Sequence, residues 1–256
     1  NQTANTQPLM LTAGVATWRA WQEKSSLSPS IMAGHSLGEY TALVASGALA
    51  FDDALPLVRY RAEVMQNAVA EGVGAMAAIL GLDDETVRQV CTEGAQGEVL
   101  EAVNLNSPGQ VVIAGNKAAV ERGMELAKAK GAKRALALPV SVPSHCALMK
   151  PAAEALADYL QNVPMTASNL PVIHNADVLA YNDVSQMKEA LVRQLYSPVR
   201  WVETVQSAYN QGIQNSAECG PGKVLAGLTK RIVAELPCIA LTNVESLAEA
   251  QAQFSA

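Results

Sequence analysis

Positive charge is the first thing this sequence lacks. Its 256 residues hold 18 Lys and Arg against 24 Asp and Glu, a formal net charge of −6 with a pI near 5.1. An overall nucleic-acid-binding footprint is excluded on that ground, and an anionic partner would need a local basic patch. The four cysteines, Cys91, Cys146, Cys219 and Cys238, form no C-x-x-C pair and no metal-like spacing. They read as reduced, buried thiols of a cytoplasmic protein with no metal site. No stretch approaches the roughly 20 apolar residues of a membrane span, and no basic segment ahead of an apolar run marks a signal peptide. Internal repeats and low-complexity linkers are missing too, and the sequence opens at Asn1 rather than at a methionine.

What is present is apolar: 50% of the residues are hydrophobic and only 16% are charged. That composition fits a folded α/β protein and argues against disorder. The length suffices for a sizeable core, either as one domain with an insertion or as two small domains. Residues 9–23 place apolar side chains at helical spacing, SIMAG reads as a short buried strand, and EYTALVASGALAF as a largely buried helix. The segment DDALPLVRYRAEVMQNAVA opens with acidic residues, as helix starts favour. From about residue 72 the pattern becomes strand (GAMAAILGL), helix (DDETVRQVCTEGA), two strands around a Ser-Pro-Gly turn, helix (KAAVERGMELAKAKG) and strand (KRALALPVSV). That β-α-β-β-α-β order is ferredoxin-like and fits an insertion over 69–141. The remaining parts, 1–68 and 142–256, alternate strands and helices through LPVIHNA, SQMKEALVRQLY, WVETVQSAYNQG, QNSAECGPG and KVLAGLTKRIVAE. The expected fold class is α/β, a mostly parallel sheet flanked by helices with the inserted subdomain.

Gly34-His35-Ser36-Leu37-Gly38 matches G-x-S-x-G between a predicted strand and a predicted helix, the setting in which that motif has mechanical meaning. The glycines permit a sharp turn that lifts the serine from the sheet edge. The helix N-terminus behind it offers unpaired N–H donors to a developing oxyanion. A serine hydroxyl needs a base within hydrogen-bond reach, and the sequence holds three histidines. His35 adjoins Ser36, but neighbouring side chains diverge around such a turn. His174 follows the apolar LPVI and reads as a satisfied buried histidine. His145 lies at a strand end before a new helix, where ligand-facing residues of α/β sheets collect, and is the best candidate. Cys146 beside it raises a Cys–His pair, which the opposed directions of consecutive residues disfavour. An α/β-hydrolase would carry a late histidine and an HGGG-type segment, and neither is present. A patatin-like Ser–Asp dyad leaves Asp177 as a weak candidate.

These residues resemble the malonyl-CoA:acyl carrier protein transacylase family of bacterial fatty-acid synthesis. The resemblance runs through TQP (6–8), GHSLGEY (34–40), NSPGQVVIAG (106–115), PVSVPSHCALM (139–149), VRQLYSPVRW (192–201) and GPGKVLAGLTKR (220–231). It implies a two-step exchange without a cofactor. Ser36 attacks the thioester of malonyl-CoA, and the phosphopantetheine thiol of acyl carrier protein then takes the malonyl group. His145 is implied as base and acid, and the backbone carbonyl of Gln194 as its orienting partner. That carbonyl sits in a helix's last turn, close to Pro198, where intrahelical partners are missing. Arg61 is implied as the cation that pairs with the malonyl carboxylate, a fork-to-carboxylate match that acetyl-CoA cannot satisfy. Arg59 falls on another helical face and reads as surface. Asn106 and Gln110 are placed along the cleft. KAKGAKR (128–134), Lys223, Lys230 and Arg231 are candidates for a basic patch facing the acidic carrier protein.

The family pattern also includes an N-terminal strand with a GQGSQ-type motif, whose glutamine N–H joins that of Leu37 in the oxyanion hole. No such motif occurs in this sequence. Roughly fifty residues of the pattern are absent, judged from ordinary strand and helix lengths. Loss of one oxyanion donor is worth on the order of 10²–10³ in rate. The expectation is a core fragment of a longer enzyme with reduced activity, testable by intact mass. Two other readings stay open: a serine thioesterase or esterase that releases acid to water, and a non-catalytic fragment that binds the carrier.

Overall fold

The computed structural model describes residues 3–140 and 142–255; the expected boundary at Ser141 and the chain's first residue, Asn1, lie outside the described residues. Along the chain come α1 (Thr3–Lys24), β1 (Met32–Ala33), α2 (Gly38–Ala45), α3 (Phe51–Asn67), β2 (Gly74–Leu80), α4 (Asp84–Ala95), β3 (Leu100–Ser107), β4 (Gln110–Asn116), α5 (Lys117–Ala129) and β5 (Arg134–Ala137). A 3-10 turn over Ala147–Met149 leads into α6 (Lys150–Gln161), followed by β6 (Val172–Ile173), α7 (Val184–Tyr196), α8 (Trp201–Asn210), β7 (Ser216–Cys219), α9 (Val224–Ile232), β8 (Cys238–Leu241) and α10 (Val244–Phe254). The chain divides into two compact units, residues 1–59, 163–187 and 203–256, and residues 60–162 and 188–202. The second unit encloses all of 69–141.

The second unit is built on a four-stranded sheet in the order β3-β4-β2-β5, antiparallel throughout. With α4 between β2 and β3, and α5 between β4 and β5, this is the βαββαβ arrangement of a ferredoxin-like unit. Period-2 alternation sorts the side chains onto two faces. Ala77, Ile79, Val111 and Ile113 share one buried cluster with Val87, Val90 and Val120 of the two helices. Met76, Val112 and Ala114 point the other way and pack with Val103 and Cys146. That second face anchors the segment that carries His145. Among the described residues, the stretch KRALALPVSV, read as one strand, pairs only over Arg134–Ala137. Leu138 still donates its N–H to Met76 O, but Pro139 has no N–H with which to continue the ladder.

In the first unit the parallel pairing takes the form of two separate two-stranded sheets, β1 with β6 and β7 with β8, rather than one continuous sheet among the described residues. The strands are short. β1 stops at Ala33, directly before the turn at Gly34. The C-terminal β8 and α10, for which the sequence analysis carries no expectation, close a core of Trp21, Leu241 and Ala250 against Trp18, Leu27 and Phe254. α10 begins with a capping box, in which Asn243 Oδ1 accepts the Ser246 N–H and Ser246 Oγ accepts the Asn243 N–H. Among the described residues no helix is long and apolar enough to cross a membrane.

Candidate active site

In the first unit, β1 and β6 run parallel with Met32 opposite Val172 and Ala33 opposite Ile173. The residues that follow each strand therefore leave the sheet at the same end. One strand delivers residues 34–38 there, and the other delivers His174 and Asn175. Ser36 adopts φ 52°, a left-handed conformation that is uncommon for a residue with a side chain and recurs at functional turns. Gly34 makes the turn possible. A Cβ there would lie 2.0 Å from the carbonyl carbon and oxygen of Gly38. At Gly38 a Cβ would meet nothing within 4 Å, so only the first of the two glycines is sterically required.

The turn's own hydrogen bonds run from Gly38 N–H to His35 O, Glu39 N–H to Ser36 O and Tyr40 N–H to Leu37 O. They leave out the N–H of Leu37, the residue that caps α2. The Ser36 N–H is taken by Asn175 Oδ1 at 2.7 Å. His174 is fully buried and donates Nδ1–H to Glu39 Oε1 at 2.7 Å. The expectation of a satisfied buried histidine is met by a carboxylate from α2. Asp177 accepts the Tyr181 hydroxyl at 3.1 Å.

The second unit holds His145, Gln194 and Arg61. His145 sits in a tight turn with φ 66° and is buried, 2% exposed. Its Nδ1 lies 2.7 Å from the backbone O of Gln194. A carbonyl only accepts, so Nδ1 carries the proton and the lone pair belongs to Nε2. Its own N–H donates to the next carbonyl, that of Leu195, at 3.0 Å. The reason both carbonyls are available lies four residues on. The partner that would satisfy Gln194 O is Pro198, which has no N–H, and Val199 spends its N–H on Val103 O.

Gln194 also reaches Arg61. Its side-chain Oε1 accepts from Arg61 Nη2 at 2.9 Å, and both residues are buried, Arg61 1% exposed and Gln194 0%. One glutamine thus holds the imidazole with its backbone and the guanidinium with its side chain. Arg59, two residues earlier, is exposed. Asn106 and Gln110 stand on the β3–β4 hairpin, partly buried either side of the Ser107-Pro108-Gly109 turn. Ala147, just beyond His145, donates its N–H to Glu101 at 3.2 Å, while burial pushes the Glu101 carboxyl up from its ordinary range. Cys146 is buried and burial pushes its thiol up to about 12, so it carries no thiolate at neutral pH. Of the basic residues considered for a carrier patch, Lys128 pairs with Glu125 at 2.8 Å and Lys130 with Glu93 at 2.9 Å. Lys223, Lys230 and Arg231 are exposed.

The acyl transferase domain family model matches residues 1–247. The chain belongs to that family. Among curated relatives, the malonyl CoA-acyl carrier protein transacylase of Salmonella typhimurium is 54% identical over 253 residues, 99% of this chain and 82% of the relative. That of Haemophilus influenzae is 57% identical over 247 residues, 96% of this chain and 79% of the relative. Among solved acyl transferases, a malonyl-transacylase in complex with a type II polyketide acyl carrier protein superposes with TM-score 0.97 at 54% identity, covering 99% of this chain and 82% of that one. An acyl carrier protein S-malonyltransferase from Vibrio cholerae gives TM-score 0.95 at 56% identity, covering 97% and 81%. Asn175 and Glu39, which hydrogen-bond around the Ser36 turn, are residues that sequence reasoning did not single out. The available signal was Glu39 itself, a carboxylate at the head of a helix otherwise almost free of charge.

Proposed function

We propose that this acyl transferase moves a malonyl group from malonyl-CoA to the phosphopantetheine thiol of acyl carrier protein in fatty-acid synthesis, through a malonyl ester on Ser36. In the first half-reaction the Ser36 hydroxyl attacks the thioester carbonyl and its proton passes to His145 Nε2. The oxyanion is held by the Leu37 N–H. Collapse breaks the C–S bond, and the departing CoA thiolate recovers the proton from His145. In the second half the carrier thiol loses its proton to His145, attacks the serine ester, and Ser36 leaves as its hydroxyl. The GQGSQ-type segment expected of the family is not among these 256 residues, so the Leu37 N–H is the oxyanion donor assigned within this chain. Gln194 supplies a neutral acceptor where other serine enzymes place a carboxylate. A thiolate leaves more readily than an amine, so a less stabilised imidazolium suffices.

The observation that carries the reading is the double engagement of Gln194, which ties a guanidinium to the base. A generic esterase has no use for a buried cation there, whereas a malonyl carboxylate needs one. Asn106 and Gln110 are proposed to line the path of the acyl-pantetheine arm. Lys223, Lys230 and Arg231, all exposed, are proposed to meet the acidic carrier. The four free cysteines agree with a reducing, cytoplasmic setting. Substituting Arg61→Ala tests the selectivity: malonyl-CoA kcat/KM should fall on the order of 10²-fold while acetyl-CoA turnover is far less affected. Equal losses for the two substrates would remove Arg61 from the site.

A further inference from the structure

Around Ser36 a set of hydrogen bonds joins three buried polar residues, one from α2 and two that directly follow β6. The Ser36 N–H donates to Asn175 Oδ1 at 2.7 Å, and Asn175 Nδ2 donates to Gly34 O at 2.8 Å. An N–H and a carbonyl oxygen as partners admit only one orientation of the amide. The Asn175 side chain therefore bridges the elbow from the glycine that starts it to the serine at its tip. Asn175 is itself held. Its N–H donates to Glu39 Oε2 at 2.9 Å, and His174 Nδ1–H donates to Glu39 Oε1 at 2.7 Å. Glu39, His174 and Asn175 are each 0% exposed. Glu39 lies in the first turn of α2, where the helix end favours a negative charge. His174 Nε2 is buried with no hydrogen-bond partner among the described residues, so the hydrogen bonding of its ring is confined to Glu39.

We infer that Asn175, held by Glu39 and His174, is a positioning residue that fixes the left-handed backbone of Ser36 and withdraws the Ser36 N–H from the reaction. This rests on the reading of Ser36 as the acyl acceptor. Two consequences follow. A serine at φ 52° is held there by its surroundings rather than by its own preference. The oxyanion must be met by Leu37, because the amide of Ser36 is already spent. Groups tied down in this way keep a nucleophile within the fraction of an ångström that reaction geometry demands.

The test is Asn175→Ala in the full chain, read by single-turnover acylation with malonyl-CoA and mass spectrometry of Ser36. The burst amplitude counts competent chains, and the rate constant reports how well each one reacts. We expect the rate constant per competent chain to fall about tenfold or more, with KM for malonyl-CoA within about twofold, since Arg61 is untouched. Amide exchange at Ser36 should accelerate. A lower amplitude with an unchanged rate constant would reduce Asn175 to a structural role and overturn the inference. An unacylated Ser36 in the parent protein would instead overturn the functional reading on which the inference rests. If Asn175→Ala does not fold, Glu39→Gln, which keeps the side chain's volume, must slow acylation per competent chain; an unchanged rate there overturns the inference as well.

Discussion

At Gly34 a methyl group has nowhere to go, because the carbonyl of Gly38 occupies the space 2.0 Å from where it would sit. Gly38 faces open space. The same motif letter therefore carries two different demands, and urea unfolding separates them. Gly34→Ala should cost more than about 3 kcal/mol, the range reserved for broken backbone geometry. Gly38→Ala, at the first residue of α2, should change stability by less than about 1 kcal/mol; comparable losses at the two positions would contradict the geometry. At this scale much of the chemistry is legible from residue types. A serine between glycines and a histidine shortly before a helix each point to a role, although the strand expected to end at His145 stops at Ala137; the role of Arg61 comes from the family resemblance. The supporting shell is not legible, because Asn175 meets Ser36 only through the pairing of β1 with β6, 139 positions apart in sequence.

Among the elements, the end of α7 matters most. Pro198 has no N–H to offer the Gln194 carbonyl four residues earlier, and His145 Nδ1 lies 2.7 Å from that carbonyl. Restoring an N–H with Pro198→Ala should let the backbone compete for that carbonyl and loosen the imidazole. We expect kcat to drop about tenfold, with KM for malonyl-CoA changing less than about twofold. Unchanged kcat would mean that the proline is incidental. Helices were readable from spacing and caps, as at α4, where Asp83 accepts the Thr86 N–H. Strand lengths were not. SIMAG, LPVIHNA and KRALALPVSV are apolar runs of ordinary strand length, yet they pair over two, two and four residues. What shortens them is the placement of glycine and proline, which a strand's own letters show, and the neighbour available for pairing, which they do not.

For the whole molecule, the ferredoxin-like order was legible because each of its strands and helices has its own period and turn signals. The division into units was less so, since α3 and α7 each run from one unit into the other and no composition change marks those points. Of the proposed catalytic residues, Ser36 and Leu37 belong to the first unit and His145, Arg61 and Gln194 to the second. Long-range similarity supplies what local patterns do not: one family model spans residues 1–247, and relatives of known activity match the chain over 96–99% of its length. The central claim is that Ser36 carries malonyl between two thiols. Its most direct test is mass spectrometry of the protein after malonyl-CoA, followed by addition of acyl carrier protein bearing its phosphopantetheine arm. A malonyl adduct of about 86 Da is expected on the peptide containing Ser36, lost on addition of the carrier as malonyl-carrier appears. An adduct elsewhere, or malonate released to water at the same rate with and without carrier, would contradict it.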